Sequence, residues 1–205
     1  MSSSKKKIAV IGAGNVGATC AFVLAQKKLG DIVLLDIYEG FAKGKALDMS
    51  QNGQVLNYDG SLTGTSNYED IADSDVVVVT SGFPRQPGMT REDLIAKNAS
   101  IVQQVGEGIR DYAPNSIIIM VTNPLDLMTY HMQKVTGFPA HRVCGQAGVL
   151  DSARMTHFVV IGGGSWGAAI ASSLQRAQQP VTVLARDQQT VDMLAQGRCP
   201  KLADC

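Results

Sequence analysis

Short apolar runs rich in β-branched residues alternate with longer segments of helical spacing along most of the chain. The runs predict strands at Ile8–Ile11, Ile32–Leu35, Leu62–Ser66, Val76–Thr80, Ile117–Thr122 and His141–Gly145. The spacing predicts helices at Val16–Lys28, Phe41–Ser50, Leu94–Tyr112 and Leu125–Val135. Such alternation is typical of βαβ units, so we predict an α/β fold with a doubly wound parallel sheet. Ligands of this fold bind at the carboxyl ends of the strands.

The same alternation restarts after Asp151. It predicts strands at Val159–Ile161 and Val181–Leu184 and helices at Trp166–Gln178 and Thr190–Gln196. This second, partial βαβ segment either extends the first sheet or stands apart, and the pattern leaves both open. Because parallel sheets need both faces covered, an extension of the first sheet is physically reasonable.

A glycine-rich loop, G-x-G-x-x-G, follows the first predicted strand and opens the first predicted helix. Its candidate cofactor-binding residues are Gly12, Gly14, Asn15, Val16 and Gly17. Gly12 permits a tight turn, Gly14 lets a pyrophosphate approach the backbone, and Gly17 lets helix and strand pack closely. The amides at the helix start would hold phosphates. Asp36 lies at the end of the next strand. A carboxylate there accepts hydrogen bonds from the ribose hydroxyls and repels a 2′-phosphate, so the sequence favours NAD over NADP.

A second loop of the same pattern follows the strand at Val159–Ile161. Its candidate residues are Gly162, Gly164, Trp166, Gly167 and Arg186. Arg186 stands where the first unit has Asp36. An arginine there could face a 2′-phosphate or stack on adenine, but a solvated arginine after a strand explains it equally well.

The composition narrows the function classes. The chain has 205 residues, 45% hydrophobic and 18% charged, with zero formal net charge. These values predict a soluble globular protein with no basic field for nucleic acid or an anionic membrane. The lysines before Ile8 weakly resemble a secretion signal, but glycines interrupt the apolar run behind them. The four cysteines form no C-x-x-C pair, which favours a reducing cytoplasm and no metal site, with Cys20 and Cys144 in the core.

Residues 1–154 resemble the NAD-dependent malate and lactate dehydrogenase family, closest to the malate type. The matching stretches are Gly12–Gly17, Leu34–Ile37, Lys43–Met49, Thr80–Arg91, Val121–Asp126 and Gly148–Arg154. Several independent motifs in the family's order make the resemblance specific. It implies a Rossmann fold, NAD as cofactor, interconversion of malate and oxaloacetate, and self-association, with a homodimer as one form.

The resemblance also implies roles for five residues. Arg85 would select a dicarboxylate and Arg91 would polarise the substrate carbonyl, both from a loop that covers the substrate. Asn123 would hydrogen-bond the substrate oxygen, and Arg154 would clamp a carboxylate with its fork of donors. Asp151 would orient a catalytic histidine.

The family's histidine motif is not found in this sequence. Its histidines are His131, His141 and His157, and none has the expected spacing from Asp151 or the glycine-flanked context. We therefore expect these histidines to be surface or linker residues, and we expect weak or absent turnover from the chain alone.

Residues 155–205 resemble the amino terminus of bacterial glycerol-3-phosphate dehydrogenase. The matching stretches are Val160–Ala171, with a tryptophan characteristic of that family, and Val181–Asp187. Four hypotheses follow: a malate dehydrogenase, an NAD(H)-binding module without catalysis, a chimera of two families whose second part completes the fold, and a chain in which both loops bind cofactor. The last requires two strands to fold by themselves, which is rare.

Overall fold

The structure is a computed structural model that describes residues 5–58, 60–84, 86–149, 158–162, 165–176, 181–185 and 188–196. The chain divides into two compact units, Met1–Gln146 and Ala147–Cys205. The predicted boundary between residues 154 and 155 stays a prediction, because it lies outside the described residues. Each unit has its own sheet.

Six parallel strands build the sheet of the first unit. They are β1 Lys7–Ile11, β2 Asp31–Leu35, β3 Leu62–Thr65, β4 Val76–Val79, β5 Ile117–Met120 and β6 Val143–Gly145. Their order across the sheet is β3-β2-β1-β4-β5-β6, and every neighbouring pair is parallel. This is the doubly wound Rossmann order, which confirms the predicted fold class.

Helices connect most of these strands. They are α1 Asn15–Gln26, α2 Glu39–Gln51, α3 Gly53–Leu56, α4 Arg91–Tyr112 and α5 Leu125–Thr136, with single 3₁₀ turns at Tyr68–Ile71 and Ala140–Arg142. In the described part of the chain, no helix combines the length and apolar character needed to cross a membrane.

The core lies on both faces of the first sheet, because successive strand residues point to opposite sides. One face carries Ala9, Val77 and Val79 and is covered by apolar residues of α4 and α5. The other face carries Val10 and Leu34 and is covered by α1 and α2. Burial of both faces explains why the strands are continuous apolar runs rather than alternating ones.

The strand register brings the carboxyl ends level. Ile11 lies opposite Leu35 in β2 and Val79 in β4, and Val79 lies opposite Met120 in β5. The strand order reverses between β1 and β4, so the loops after these two strands diverge and leave a crevice at this edge. The loops after β1, β2, β4 and β5 therefore meet in one place.

Two predictions need correction. Helix α4 begins at Arg91 rather than Leu94, because Thr90 and Asp93 form a capping box in which each side chain accepts a hydrogen bond from the other's backbone amide. Cys144 is exposed rather than buried, because it lies on the edge strand β6. The other predicted elements of the first unit are confirmed in type and order, with ends that differ by at most two residues, whereas the short helix α3 was not predicted.

Among the described residues of the second unit, two parallel strands and two helices have complete bounds. They are β7 Phe158–Ile161, α6 Ser165–Arg176, β8 Val181–Leu184 and α7 Gln188–Ala195. Strands β7 and β8 pair with each other over their full length and form a two-stranded sheet of their own. Ala168 and Ala171 of α6 are buried, whereas Ile161 and Leu184 at the strand ends are exposed.

Candidate functional site

The loop after β1 requires glycine at its first position. Gly12 has φ of +104°, a conformation that side chains disfavour, and its amide donates to the Leu35 carbonyl at 2.7 Å. A Cβ at Gly12 would lie 2.7 Å from the Ser81 nitrogen. The turn therefore brings the backbone of β1 against both β2 and the chain that leaves β4.

The other two glycines of this loop have different roles. A Cβ at Gly17 would lie 1.8 Å from the Gly12 carbonyl oxygen, so only glycine lets α1 pack against the loop. Gly14 has no atom within 4 Å of its Cβ position and no side chain caps α1, which begins at Asn15. The loop thus leaves open space beside uncapped helix-start amides, the arrangement that binds an anionic group such as a phosphate.

Asp36 lies directly after β2 and is held against this loop. One carboxylate oxygen accepts the Ala13 amide at 2.7 Å, and the other accepts the Tyr38 amide at 3.1 Å. The carboxylate is half-buried. Its negative charge therefore has a fixed position next to the glycine loop, where it can accept hydroxyl donors and disfavours a second anion.

The residues after β4 form the other wall of the crevice. The Thr80 hydroxyl donates to the carbonyls of Ile11 and Gly12, at 3.2 and 3.1 Å, and Thr122 donates to the Ser81 carbonyl at 2.7 Å. The Ser81 hydroxyl is buried and has no hydrogen-bond partner among the described residues. An unpaired buried hydroxyl is costly to the fold.

Sequence reasoning missed Asn98, a buried residue of α4. Its Oδ1 accepts the Phe83 amide at 2.6 Å, and its Nδ2 donates to the Asn123 carbonyl at 2.7 Å. It thereby connects the segment after β4 to the segment after β5. A signal was available in the sequence, because Asn98 occupies a helical position in line with the buried Val102 and Val105, where an apolar residue is expected.

The substrate-binding candidates are only partly described. Arg91 is the first residue of α4 and is exposed, and Asn123 is exposed in the loop after β5, before a cis peptide bond to Pro124. Arg85, Asp151 and Arg154 lie outside the described residues, so their predicted roles stay predictions.

The histidines show no sign of catalytic geometry where they are described. His131 on α5 is half-buried, and its Nε2 lies 3.2 Å from the Ala99 carbonyl oxygen of α4. His141 is exposed in the short turn before β6. His157 lies outside the described residues. Within the described ranges, no three His, Cys, Asp or Glu side chains are grouped so that they could hold a metal.

The two described glycines of the second loop, Gly162 and Gly167, have the geometry of Gly12 and Gly17 in the first. Gly162 has φ of +117°, and its amide donates to the Leu184 carbonyl at 2.8 Å. A Cβ at Gly167 would lie 1.9 Å from the Gly162 carbonyl oxygen, as close as the corresponding contact in the first loop. Trp166 lies on α6, while Gly164 and Arg186 lie outside the described residues.

Comparison with known proteins decides the family. A family model described as the lactate/malate dehydrogenase NAD-binding domain matches residues 6–145. The chain belongs to the lactate/malate dehydrogenase family. Residues 157–201 match a second model, the N-terminus of NAD-dependent glycerol-3-phosphate dehydrogenase. Both predicted resemblances are confirmed, and the predicted cofactor class, NAD, agrees with both.

The relatives of the chain include a malate dehydrogenase of Bacillus israeli, 55% identical over 161 residues, or 78% of the chain and 52% of the relative. Malate dehydrogenase of Picrophilus torridus has a similar structure, with a TM-score of 0.72 and 42% identity over 84% of the chain and 51% of that protein. A lactate dehydrogenase from Cryptosporidium parvum, solved with lactic acid and nicotinamide adenine dinucleotide, has a TM-score of 0.71 and 44% identity over 75% of the chain and 49% of that protein. The chain spans about half the length of these relatives.

Proposed function

We propose that the first unit binds NAD(H) at the crevice between β1 and β4, and that it serves the interconversion of malate and oxaloacetate. The observation that carries the proposal is the loop geometry: a positive φ at Gly12, open space at Gly14 and close packing at Gly17, beside the fixed carboxylate of Asp36. In the bound state the helix-start amides of Asn15, Val16 and Gly17 would hold the pyrophosphate, and Asp36 would accept the ribose hydroxyls.

Substrate recognition is assigned to the residues for which the family resemblance implies a role. When NAD(H) is bound, its nicotinamide ring supplies or accepts the hydride. Arg85 and Arg154 would each hold one carboxylate of the substrate, and two cations match a dicarboxylate such as malate better than a monocarboxylate. Arg91 would polarise the carbonyl, Asn123 would hydrogen-bond it, and Asp151 would orient a base.

We further propose that a polypeptide of these 205 residues turns over malate slowly or not at all. None of its histidines has the spacing from Asp151 that the family motif requires. Loss of a general base alone lowers rates by about two to four orders of magnitude. The purified chain should therefore reduce NAD with malate at a rate close to background, and a clear malate-dependent rate in an absorbance assay would refute this proposal.

A second candidate, a chimera of two dehydrogenase families, is supported by two matches that do not overlap, at residues 6–145 and 157–201. In this candidate the second segment has either a purely structural role or a cofactor site of its own. The repeated loop geometry at Gly162 and Gly167 favours testing the latter, with Gly164, Trp166 and Arg186 as the further binding candidates.

The first experiment is a fluorescence titration of the purified chain with NADH. Saturation near one site per chain, with an affinity that falls at least about tenfold in Gly17→Ala, supports cofactor binding by the first loop. Two sites, one of which is lost on Gly167→Ala, would assign cofactor binding to the second loop as well. No saturable binding would contradict the proposed function.

Two further proposals concern location and assembly. Free thiols at Cys20 and Cys144 support a reducing compartment such as the cytoplasm.

Exposed apolar residues on α1 and α2, among them Val23, Phe41 and Leu47, support a homodimer. Sedimentation velocity at several concentrations tests the second proposal, and a concentration-independent monomer would exclude it.

A further inference from the structure

Asn98 connects two loops of the candidate site from inside the protein. It is only 2% exposed, although it carries an amide, and it lies on the face of α4 that buries Val102 and Val105. Burying an amide without partners is costly, so its bonds decide whether the residue stabilises or destabilises the fold.

The partners of Asn98 belong to loops rather than to helices or strands. Its Oδ1 accepts the Phe83 amide at 2.6 Å, and its Nδ2 donates to the Asn123 carbonyl at 2.7 Å and more weakly to the Phe83 carbonyl at 3.4 Å. Within the described residues, the Phe83 amide and the Asn123 carbonyl have no other hydrogen-bond partner. One side chain therefore satisfies backbone groups of two separate segments.

The preceding residue of α4 holds the same phenylalanine from another side. The Lys97 ammonium lies 4.5 Å from the centre of the Phe83 ring, a cation–π contact. The backbone and the ring of Phe83 are thus both fixed to α4. Because α4 begins at Arg91, the contacts of Phe83 with this helix also fix its position relative to Arg91.

We infer that Asn98 is a positioning residue: it sets the separation between the segment after β4, at Phe83, and the exposed Asn123 after β5. The expected consequence of this positioning is tighter binding of a dicarboxylate by the chain, and that consequence rests on the proposed function. The hydrogen bonds themselves can be tested without any ligand. A purely structural role would affect the whole unit, whereas a positioning role affects these two segments first.

The ligand-free test measures amide hydrogen exchange by NMR. In Asn98→Leu, the Phe83 amide loses its acceptor, and we expect its exchange to accelerate by about tenfold or more relative to the core amide of Val78. Asn98→Asp at pH 8 keeps an acceptor for Phe83 but loses the donor to Asn123, so Phe83 should stay protected. Ser116→Ala is the matched control, because it removes a buried hydroxyl bonded to Ala113, remote from the site.

The ligand test titrates the NADH complex with hydroxymalonate, a small dicarboxylate that carries a hydroxyl. Both Asn98 variants should bind it at least about tenfold more weakly while NADH affinity changes by less than about threefold, and Ser116→Ala should change neither. Unchanged hydroxymalonate binding in both variants would overturn the inference. So would an exchange increase spread equally over Val78 and Phe83.

Failure of the proposed function gives a different result. If the wild-type chain binds no NADH or no hydroxymalonate, the substrate-binding proposal fails, and the exchange measurement alone decides whether Asn98 holds the two segments. If Asn98→Leu does not fold, Asn98→Asp alone tests the inference. In this variant the Phe83 amide should stay protected from exchange while hydroxymalonate binds more weakly. Loss of Phe83 protection in Asn98→Asp would contradict the assigned acceptor.

Discussion

Substitution of Gly17 by alanine tests the geometry that carries the proposed function. The added Cβ would lie 1.8 Å from the Gly12 carbonyl oxygen and 2.6 Å from the Thr80 hydroxyl. Ordinary contact begins at 3.4 Å, so α1 and the loop must separate by 1.6 Å. The closest atom belongs to the backbone, which cannot rotate away as a side chain does.

Two opposing effects decide whether Gly17→Ala raises or lowers the free energy of unfolding. Alanine stabilises a helix interior by roughly 1 kcal/mol relative to glycine. Forcing extra volume into a packed contact costs about 1–3 kcal/mol, and a clash with backbone belongs at the upper end. We therefore expect the free energy of unfolding of Gly17→Ala to fall by about 1–2 kcal/mol in urea titrations.

The effect on cofactor affinity should be larger than the effect on stability. A displacement of 1.6 Å moves the helix-start amides out of hydrogen-bond range of a phosphate. Each hydrogen bond to a charged group contributes about 1.5–3 kcal/mol, so NADH should bind at least about tenfold more weakly.

Gly44→Ala is the matched control, because Gly44 lies within α2 and has nothing within 4 Å of its Cβ position. It should stabilise the chain by up to about 1 kcal/mol and leave NADH affinity unchanged. Equal NADH affinity in Gly17→Ala and the wild type would refute the argument.

Two further predictions address the Asp36 carboxylate and the half-buried phenol of Tyr68. Asp36→Asn keeps an acceptor for the Ala13 amide but removes the negative charge. NADH affinity should therefore fall about tenfold, and the preference for NADH over NADPH should become smaller. An unchanged ratio of the NADH and NADPH affinities in parallel titrations would contradict the assignment of Asp36 to the ribose. Burial raises the pKa of Tyr68 to about 12 from 10.0. The unfolded chain therefore ionises first as the pH rises from 10 towards 12, and stability present below pH 10 is lost in that window. Between pH 9 and 11 the unfolding free energy should fall more for the wild type than for Tyr68→Phe, and equal losses in urea titrations would contradict a raised pKa of Tyr68 in the folded chain.

Local patterns predicted much of the first unit. The strands are continuous apolar runs because each is buried on both faces, and this signal is present in a single segment of sequence. Gly12, Gly17 and Asp36 were also predictable, because their spacing reflects one strand–turn–helix unit and the end of the next strand. The start of α4 was missed because its signal lies in the Thr90 and Asp93 cap rather than in apolar periodicity.

Other features depended on contacts between distant segments. The exposure of Cys144 follows from the place of β6 at the sheet edge, which the strand's own three residues do not specify. The hydrogen bonds of Asn98 reach Asn123, and their partners become neighbours only when β4 and β5 pair.

The sequence by itself determined the element types, the two glycine loops and the family, because these depend on residues close together in the chain. Only the tertiary structure decided which side chains meet at the carboxyl edge of the sheet. That edge is assembled from strands far apart in sequence, and Gly17 tolerates no Cβ only because a carbonyl of the preceding turn lies against it.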